Sequence, residues 1–243
     1  MATVILVRHG RSTANTDGIL AGRTPGVTLD DTGRGQAERT AGRLATVPLV
    51  GVVSSPLQRC RQTAQAILEH QSGAPAFTTE EGITECDYGD WQGRKLAELG
   101  KEDLWKTVVG QPSAAVFPDG ESLADMQARA VTAIRDHDAV VESEHGPGAV
   151  WVAVSHGDII KSVIADAYGM PFDHFQRVYA DPASVSVIRY TAAMPHVLCV
   201  NTSGGDLAWL SPSPDREKHR DDNRGDNRGG NDVQVGGGAG HED

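Results

Sequence analysis

Positions 3–10 read Thr-Val-Ile-Leu-Val-Arg-His-Gly, an apolar run that ends in a cation, an imidazole and a glycine. A continuous run without polar alternation predicts a strand over residues 3–7 buried on both faces, as in a sheet covered by helices on each side. An Arg-His-Gly triplet at the carboxyl end of a first strand presents an imidazole beside a fixed cation. That arrangement suits acceptance of a phosphoryl group. A lone triplet also fits an ordinary loop after a strand, so its meaning depends on what the rest of the chain places beside it.

Outward from this strand, helices and strands alternate. Residues 31–47 read as a helix with Ala37, Ala41, Leu44 and Ala45 on one face, closed by Pro48. Residues 50–54 read as the next strand. Ser55-Pro56-Leu57-Gln58 then predicts a helix start, with Ser55 as N-cap, Pro56 in the first helical position and Gln58 completing a capping box. Leu57, Cys60, Ala64, Ile67 and Leu68 form the expected buried stripe of that helix. Residues 76–80 predict a short strand. Residues 82–120 mix Gly, Pro and polar residues with short helical stretches, and read as an excursion over the mouth of the sheet. Residues 122–144 predict a long helix with Leu123, Met126, Ala130, Ile134 and either Val140 or Val141 inward. After a Gly146-Pro147-Gly148 turn come a buried strand over 149–154 and a helix over 158–168, ended by Gly169 and Pro171. Strands are predicted over 185–190 and 196–200.

This alternation predicts a three-layer α/β/α sandwich with a mostly parallel central sheet. From residue 211 onward Asp, Arg, Asn and Gly dominate, so the expected division is a domain over residues 1–210 and a disordered polar tail over 211–243.

Bulk properties bound the partners. At 243 residues with 39% hydrophobic residues, one α/β domain with a sizeable core is expected. A net charge of −11 argues against nucleic acid or an anionic membrane as partner. No apolar run approaches the roughly 18 residues of a membrane span, and residues 2–7 are too short for a signal peptide. Cys60, Cys86 and Cys199 are few and far apart, so reduced thiols in the cytoplasm are expected rather than a disulfide framework.

Open α/β sheets place ligands at the carboxyl ends of their strands. Three strand ends here carry chemistry: Arg8-His9-Gly10, Ser54-Ser55-Pro56 with Arg59 just beyond, and Ser155-His156-Gly157. Two histidines, two arginines and two helix N-termini therefore converge on one edge. Helix N-termini and the planar guanidinium fork both suit phosphate. Metal ligation is not expected: no His-x-x-x-His or Cys-x-x-Cys spacing occurs, and Arg8 and Arg59 would repel a cation.

Five motifs in order carry a family resemblance. They are Arg8-His9-Gly10-x-Ser12-x-x-Asn15; Ser55-Pro56-Leu57-x-Arg59-x-x-x-Thr63-Ala64; Glu85-x-x-Tyr88-Gly89-x-Trp91-x-Gly93; Pro118-x-Gly120-Glu121-Ser122; and Ser155-His156-Gly157. Over residues 2–205 the chain resembles the histidine phosphatase superfamily, also called phosphoglycerate mutase-like. The resemblance implies that His9 attacks phosphorus and becomes phosphohistidine. It implies a phosphate pocket of Arg8, Arg59 and His156, with Asn15, Gly22 and Gly157 as further substrate contacts. His156 must be protonated to help electrostatically, and a bound phosphate favours that. Glu85 matches the proton donor, with Asp87 as a nearby rival; Tyr88 and Trp91 are expected to pack the excursion. No cofactor is implied. The expected substrate is a small phosphorylated metabolite, and the fold allows a homodimer through a sheet edge.

The family divides between hydrolases and mutases. Its cofactor-dependent mutases carry a paired-arginine segment after Trp-x-Gly. Here that stretch holds Arg94, Lys95, Lys101 and Lys106 without an adjacent arginine pair, and ends in Phe117-Pro118-Asp119-Gly120-Glu121-Ser122. This favours a phosphomonoester hydrolase of acid type, with a phosphoglycerate mutase or other phosphomutase as the alternative. A binding protein without turnover would be marked by loss of His9 or Glu85, and both are present. Asp158 and Lys161 depart from the common pattern; Lys161 is expected at the surface, with a substrate-facing position as the alternative.

Overall fold

The computed structural model describes residues 2–204. The expected boundary at residue 210 and the polar tail over 211–243 lie outside the described residues. Strand β1 (Thr3–Arg8) is buried at all six positions, as its unbroken apolar pattern requires. The other strands are β2 (Leu49–Ser54), β3 (Ala76–Thr79), β4 (Val150–Ser155), β5 (Val185–Tyr190) and β6 (Pro195–Thr202). They form one sheet in the order β3-β2-β4-β1-β5-β6. The pairs β2–β3, β2–β4 and β1–β4 are parallel, whereas β5 runs antiparallel to β1 and to β6.

Alternate residues of each central strand feed two separate cores. Ile5, Val7, Val52, Val152 and Val154 pack with α2 (Asp31–Leu44) and α3 (Gln58–Glu69). Val4, Leu6, Val53, Trp151 and Ala153 face the other way. There they meet α6 (Leu123–His145), α7 (Gly157–Ala167) and the excursion after β3, which carries the short helices α4 (Leu96–Leu99) and α5 (Asp103–Gly110). The result is the expected three-layer sandwich. Within α6 the inward valine is Val141; Val140 is exposed.

Several boundaries differ from expectation. Helix α2 stops at Leu44 rather than residue 47; beyond it the Ala45 and Val47 N–H groups bond three residues back, to the Gly42 and Leu44 carbonyls, in a tightened last turn. A one-turn helix, α1 (Thr13–Thr16), follows the His9 loop, with Ser12 and Asn15 making a reciprocal cap. The Ser55 capping box does not form. Helix α3 starts at Gln58 with Leu57, which has no polar side chain, at the cap; the Ser55 hydroxyl lies outside the helix, 2.8 Å from His156 Nε2 and accepting the Leu57 N–H at 3.4 Å. Leu57 and Leu68 are half-buried, leaving Cys60, Ala64 and Ile67 as the buried stripe.

The topology brings three loaded strand ends together. Arg8 lies opposite Ser155 in the β1–β4 register, and the His9 N–H donates to the Ser155 carbonyl at 2.9 Å. On the far side of β4, the Ser55 N–H donates to the Val154 carbonyl at 2.9 Å. Among the described residues no helix is long and apolar enough to cross a membrane.

Candidate active site

His9 is fixed before any ligand arrives. Its Nδ1 lies 2.7 Å from the Gly10 carbonyl, which only accepts, so Nδ1 carries the proton and Nε2 keeps its lone pair. Arg59 Nε donates toward that lone pair at 3.3 Å. Burial, then the Arg59 and Arg8 charges, hold the imidazole well below its ordinary pKa, so it is neutral. The loop that carries His9 lies backbone-to-backbone on the first turn of α2. A Cβ on Gly10 would come within 2.3 Å of the Gly33 carbonyl oxygen, and one on Gly33 within 1.9 Å of the Arg11 carbonyl oxygen. Only glycine at both positions permits this approach.

Arg59, in the first turn of α3, ties the pocket together. Its Nη2 donates to the Gly22 carbonyl at 2.8 Å and to His156 Nδ1 at 3.2 Å. Because His156 Nδ1 accepts, its Nε2 carries the proton and donates to Ser55 Oγ at 2.8 Å. The two imidazoles meet edge-on, with ring centroids 5.2 Å apart. Arg8 donates to the Ala180 carbonyl at 2.8 Å. Burial pushes its guanidinium down to about 10 against the Asp181, Glu85 and Asp158 carboxylates, so it stays charged at neutral pH.

Glu85 reaches the same pocket from the excursion. Its Oε2 is 3.9 Å from His156 Nδ1, and its Oε1 accepts from the Cys86 N–H at 3.0 Å. The residue is 3% exposed. Burial first, and then the Asp158 carboxylate, push the carboxyl up to about 7, against Arg59, the Cys86 N–H and Arg8. The rival, Asp87, is turned away. Its Oδ1 accepts from the Gly89 N–H and from Gln92, and its Oδ2 lies 3.5 Å from Arg23.

Residues 4–203 match the model of the histidine phosphatase superfamily (branch 1). The chain belongs to that superfamily. Phosphoglycerate mutase-like protein 4 of Arabidopsis thaliana is 32% identical over 166 residues, 67% of this chain and 69% of that protein. Phosphoserine phosphatase 1 of Hydrogenobacter thermophilus is 30% identical over 206 residues, 83% of this chain and 92% of the relative. The chain spans 54% of the length of three mycobacterial relatives matched at 30% identity. The solved structure of YhfR from Bacillus stearothermophilus aligns with a TM-score of 0.73 at 25% identity, over 82% of this chain and 96% of that one.

In this member of the superfamily, His9, Arg59, His156 and Glu85 form one connected cluster, with the Gly22 carbonyl bound to Arg59. Arg8 acts on it through its charge. Asn15 stands in the cap of α1, its Oδ1 accepting from the Ser12 N–H at 3.0 Å and hydroxyl at 2.8 Å. Gly157 opens α7 directly after His156. Tyr88 and Trp91 are buried packing residues of the excursion, and Tyr88 also donates to Asp158 Oδ2 at 2.8 Å.

Burial first, and then the Arg59 charge, hold His156 well below the ordinary histidine pKa. One expectation needs correction. Lys161 is not on the surface. It is 3% exposed, donating to Asp158 Oδ1 at 2.9 Å and Gln176 Oε1 at 2.8 Å. Helix α7 is covered nearly all round, so its lysine has no solvent face to occupy. Sequence reasoning also missed Ser55, Arg23 and Arg129. Ser55 was visible as a strand-end hydroxyl, but its Ser-Pro context reads as a helix cap. The basic residues after Gly93 are engaged in part outside the pocket: Arg94 pairs with Glu102 and Lys106 with Asp103.

Proposed function

We propose that the chain is a phosphomonoester hydrolase working through a phosphohistidine on His9. The observation that carries this reading is a neutral His9, its Nε2 facing Arg59 at 3.3 Å, in one buried pocket with a Glu85 carboxyl raised to about 7. In the first half-reaction the Nε2 lone pair attacks phosphorus while the ester P–O bond breaks. The bonding electrons leave on the ester oxygen, which takes the Glu85 proton. The ring becomes positive, and the Gly10 carbonyl at Nδ1 stabilises it. Arg8 and Arg59 offset the charge on the three remaining phosphoryl oxygens. The Asn15 side-chain amide and the Gly157 N–H are further donors for the same oxygens. A phosphate dianion lifts the His156 pKa, so that His156 joins them when substrate binds. In the second half-reaction the Glu85 carboxylate takes a proton from water. The water oxygen attacks phosphorus, the N–P electrons return to His9, and inorganic phosphate leaves.

The relatives support a small phosphorylated metabolite as substrate, and Phosphoserine phosphatase 1 supports hydrolysis over transfer. The absence of an adjacent arginine pair after Gly93 supports the same choice over a mutase. Hydrolysis of acid type follows from Glu85, whose acid form is lost above about 7. Arg8 and Arg59 meet the charge that a metal would otherwise meet, so turnover is read as metal-independent. Three free thiols support a reducing compartment such as the cytoplasm. A homodimer through a sheet edge would use β3, whose four residues are all exposed.

The purified protein is expected to hydrolyse p-nitrophenyl phosphate in the presence of a chelator, and His9→Ala to lose more than about 1,000-fold in rate. Full activity in His9→Ala would overturn the mechanism, and loss on chelation its metal independence. With 3-phosphoglycerate, release of inorganic phosphate marks a hydrolase; isomerisation that depends on 2,3-bisphosphoglycerate marks a mutase.

A further inference from the structure

Glu85 stands in a segment with no strand or α-helix to hold it. Thr84, Glu85 and Cys86 are all buried, and buried carbonyls need donors. A single guanidinium supplies three of them. Arg129 of α6 donates through Nη1 to the Gly82 carbonyl at 2.8 Å and the Thr84 carbonyl at 2.7 Å, and through Nη2 to the Glu85 carbonyl at 3.1 Å. The Thr84 and Glu85 carbonyls belong to the two planar peptides that flank the Glu85 Cα. Fixing both planes fixes φ and ψ at that residue, and with them the direction of its side chain.

Glu121 holds the guanidinium in turn. It receives Arg129 Nε at 3.0 Å and Nη2 at 2.6 Å, a bidentate pair. The same carboxylate receives Arg23 Nη2 at 3.0 Å and the Asp87 N–H at 2.8 Å. Arg23 Nε adds a second donor to the Glu85 carbonyl at 2.9 Å. Arg23 follows Gly22, whose carbonyl binds Arg59. The network therefore links the phosphate side of the pocket to the side of the proton donor.

We propose that Arg129, with Glu121 and Arg23, is a positioning device that aims the Glu85 carboxyl at the leaving oxygen. None of the three is assigned to touch the phosphoryl group. The inference rests on the hydrolase reading above and concerns one component of it.

The test compares p-nitrophenyl phosphate with phenyl phosphate. The two esters share an aryl phosphate core and its charge, but phenol is the poorer leaving group and depends more on protonation. The readout is kcat/KM, which covers phosphoryl transfer to His9 and excludes later hydrolysis of the phosphoenzyme. A mispointed acid costs on the order of 10–100-fold where proton donation matters. Arg129→Gln is expected to lose that much on phenyl phosphate and less than about threefold on p-nitrophenyl phosphate, with competitive inhibition by inorganic phosphate unchanged. Arg23→Gln, which leaves the bonds of α6 intact, is expected to show the same selectivity to a smaller degree and serves if Arg129→Gln fails to fold. Equal losses on the two esters in the folded variant, or no loss, would overturn the inference. His9→Ala separates the two levels: a silent His9→Ala with an unselective Arg129→Gln removes this inference alone. An active His9→Ala removes the hydrolase reading and this inference with it.

Discussion

The side chains that the proposed mechanism turns to the phosphate and the one it turns to the leaving group are held by different means. His9, Arg59 and His156 stand on strand ends and helix first turns. Their backbone is set by sheet register and by the glycine contact between the His9 loop and α2. Glu85 stands on irregular chain, and its aim depends on side chains from residues 23, 121 and 129. The polarity differs as well. The phosphate side is cationic, with neutral imidazoles waiting for an anion. The leaving-group side keeps a carboxyl raised by burial and by Asp158. In the proposed mechanism, backbone hydrogen bonding thus fixes the groups that capture the phosphoryl group, and side-chain contacts fix the aim of the proton donor.

That contrast predicts two kinds of damage short of removing the His9 nucleophile itself. The larger is on the acid side. Glu85→Gln should lower kcat/KM for phenyl phosphate by roughly 100- to 10,000-fold, with a much smaller loss for p-nitrophenyl phosphate. The sign of the pH dependence follows from the raised carboxyl. Its protonated form is the working acid, so wild-type kcat/KM should fall as pH rises through about 7. His9 should add no acidic limb in the ordinary histidine range, because it remains neutral there. Glu85→Gln should lose the alkaline limb; a limb that persists unchanged would place the acid elsewhere. The smaller damage is on the phosphate side. Gly33→Ala puts a Cβ into the Arg11 backbone, which cannot move without the His9 loop. It should cost about 1–3 kcal/mol of stability, read as a lower Tm, and should reduce turnover of both esters in equal proportion. A leaving-group-dependent loss in Gly33→Ala would erase the distinction between the two sides.

The same contrast explains how much was legible in the sequence. Strand ends are local features, so β1 with Arg8 and His9, and β4 with His156, could be read from apolar runs and the residues that close them. The three-layer sandwich followed from alternation alone. Ser55 was misread because a serine before proline satisfies the rules for a helix cap and for a strand-end hydroxyl equally well; only the place of His156 decides. Lys161 was misread because one lysine among apolar residues does not reveal that α7 is covered on every side. The clamp on Glu85 left no local signal. Arg129 contacts carbonyls 44 to 47 positions away in sequence, and a surface arginine on a long helix has the same spacing as a clamp.

The central claim is the covalent intermediate on His9, and it can be trapped. Glu85→Gln mixed with p-nitrophenyl phosphate should form the phosphoenzyme and release it slowly, since the leaving group needs little protonation but water still needs a base. Quenched in alkali and mapped by mass spectrometry, the adduct should sit on His9, survive the alkali and be lost in acid. An acid-stable phosphoryl group on Ser55 or Thr63, or no adduct at all, would contradict the account.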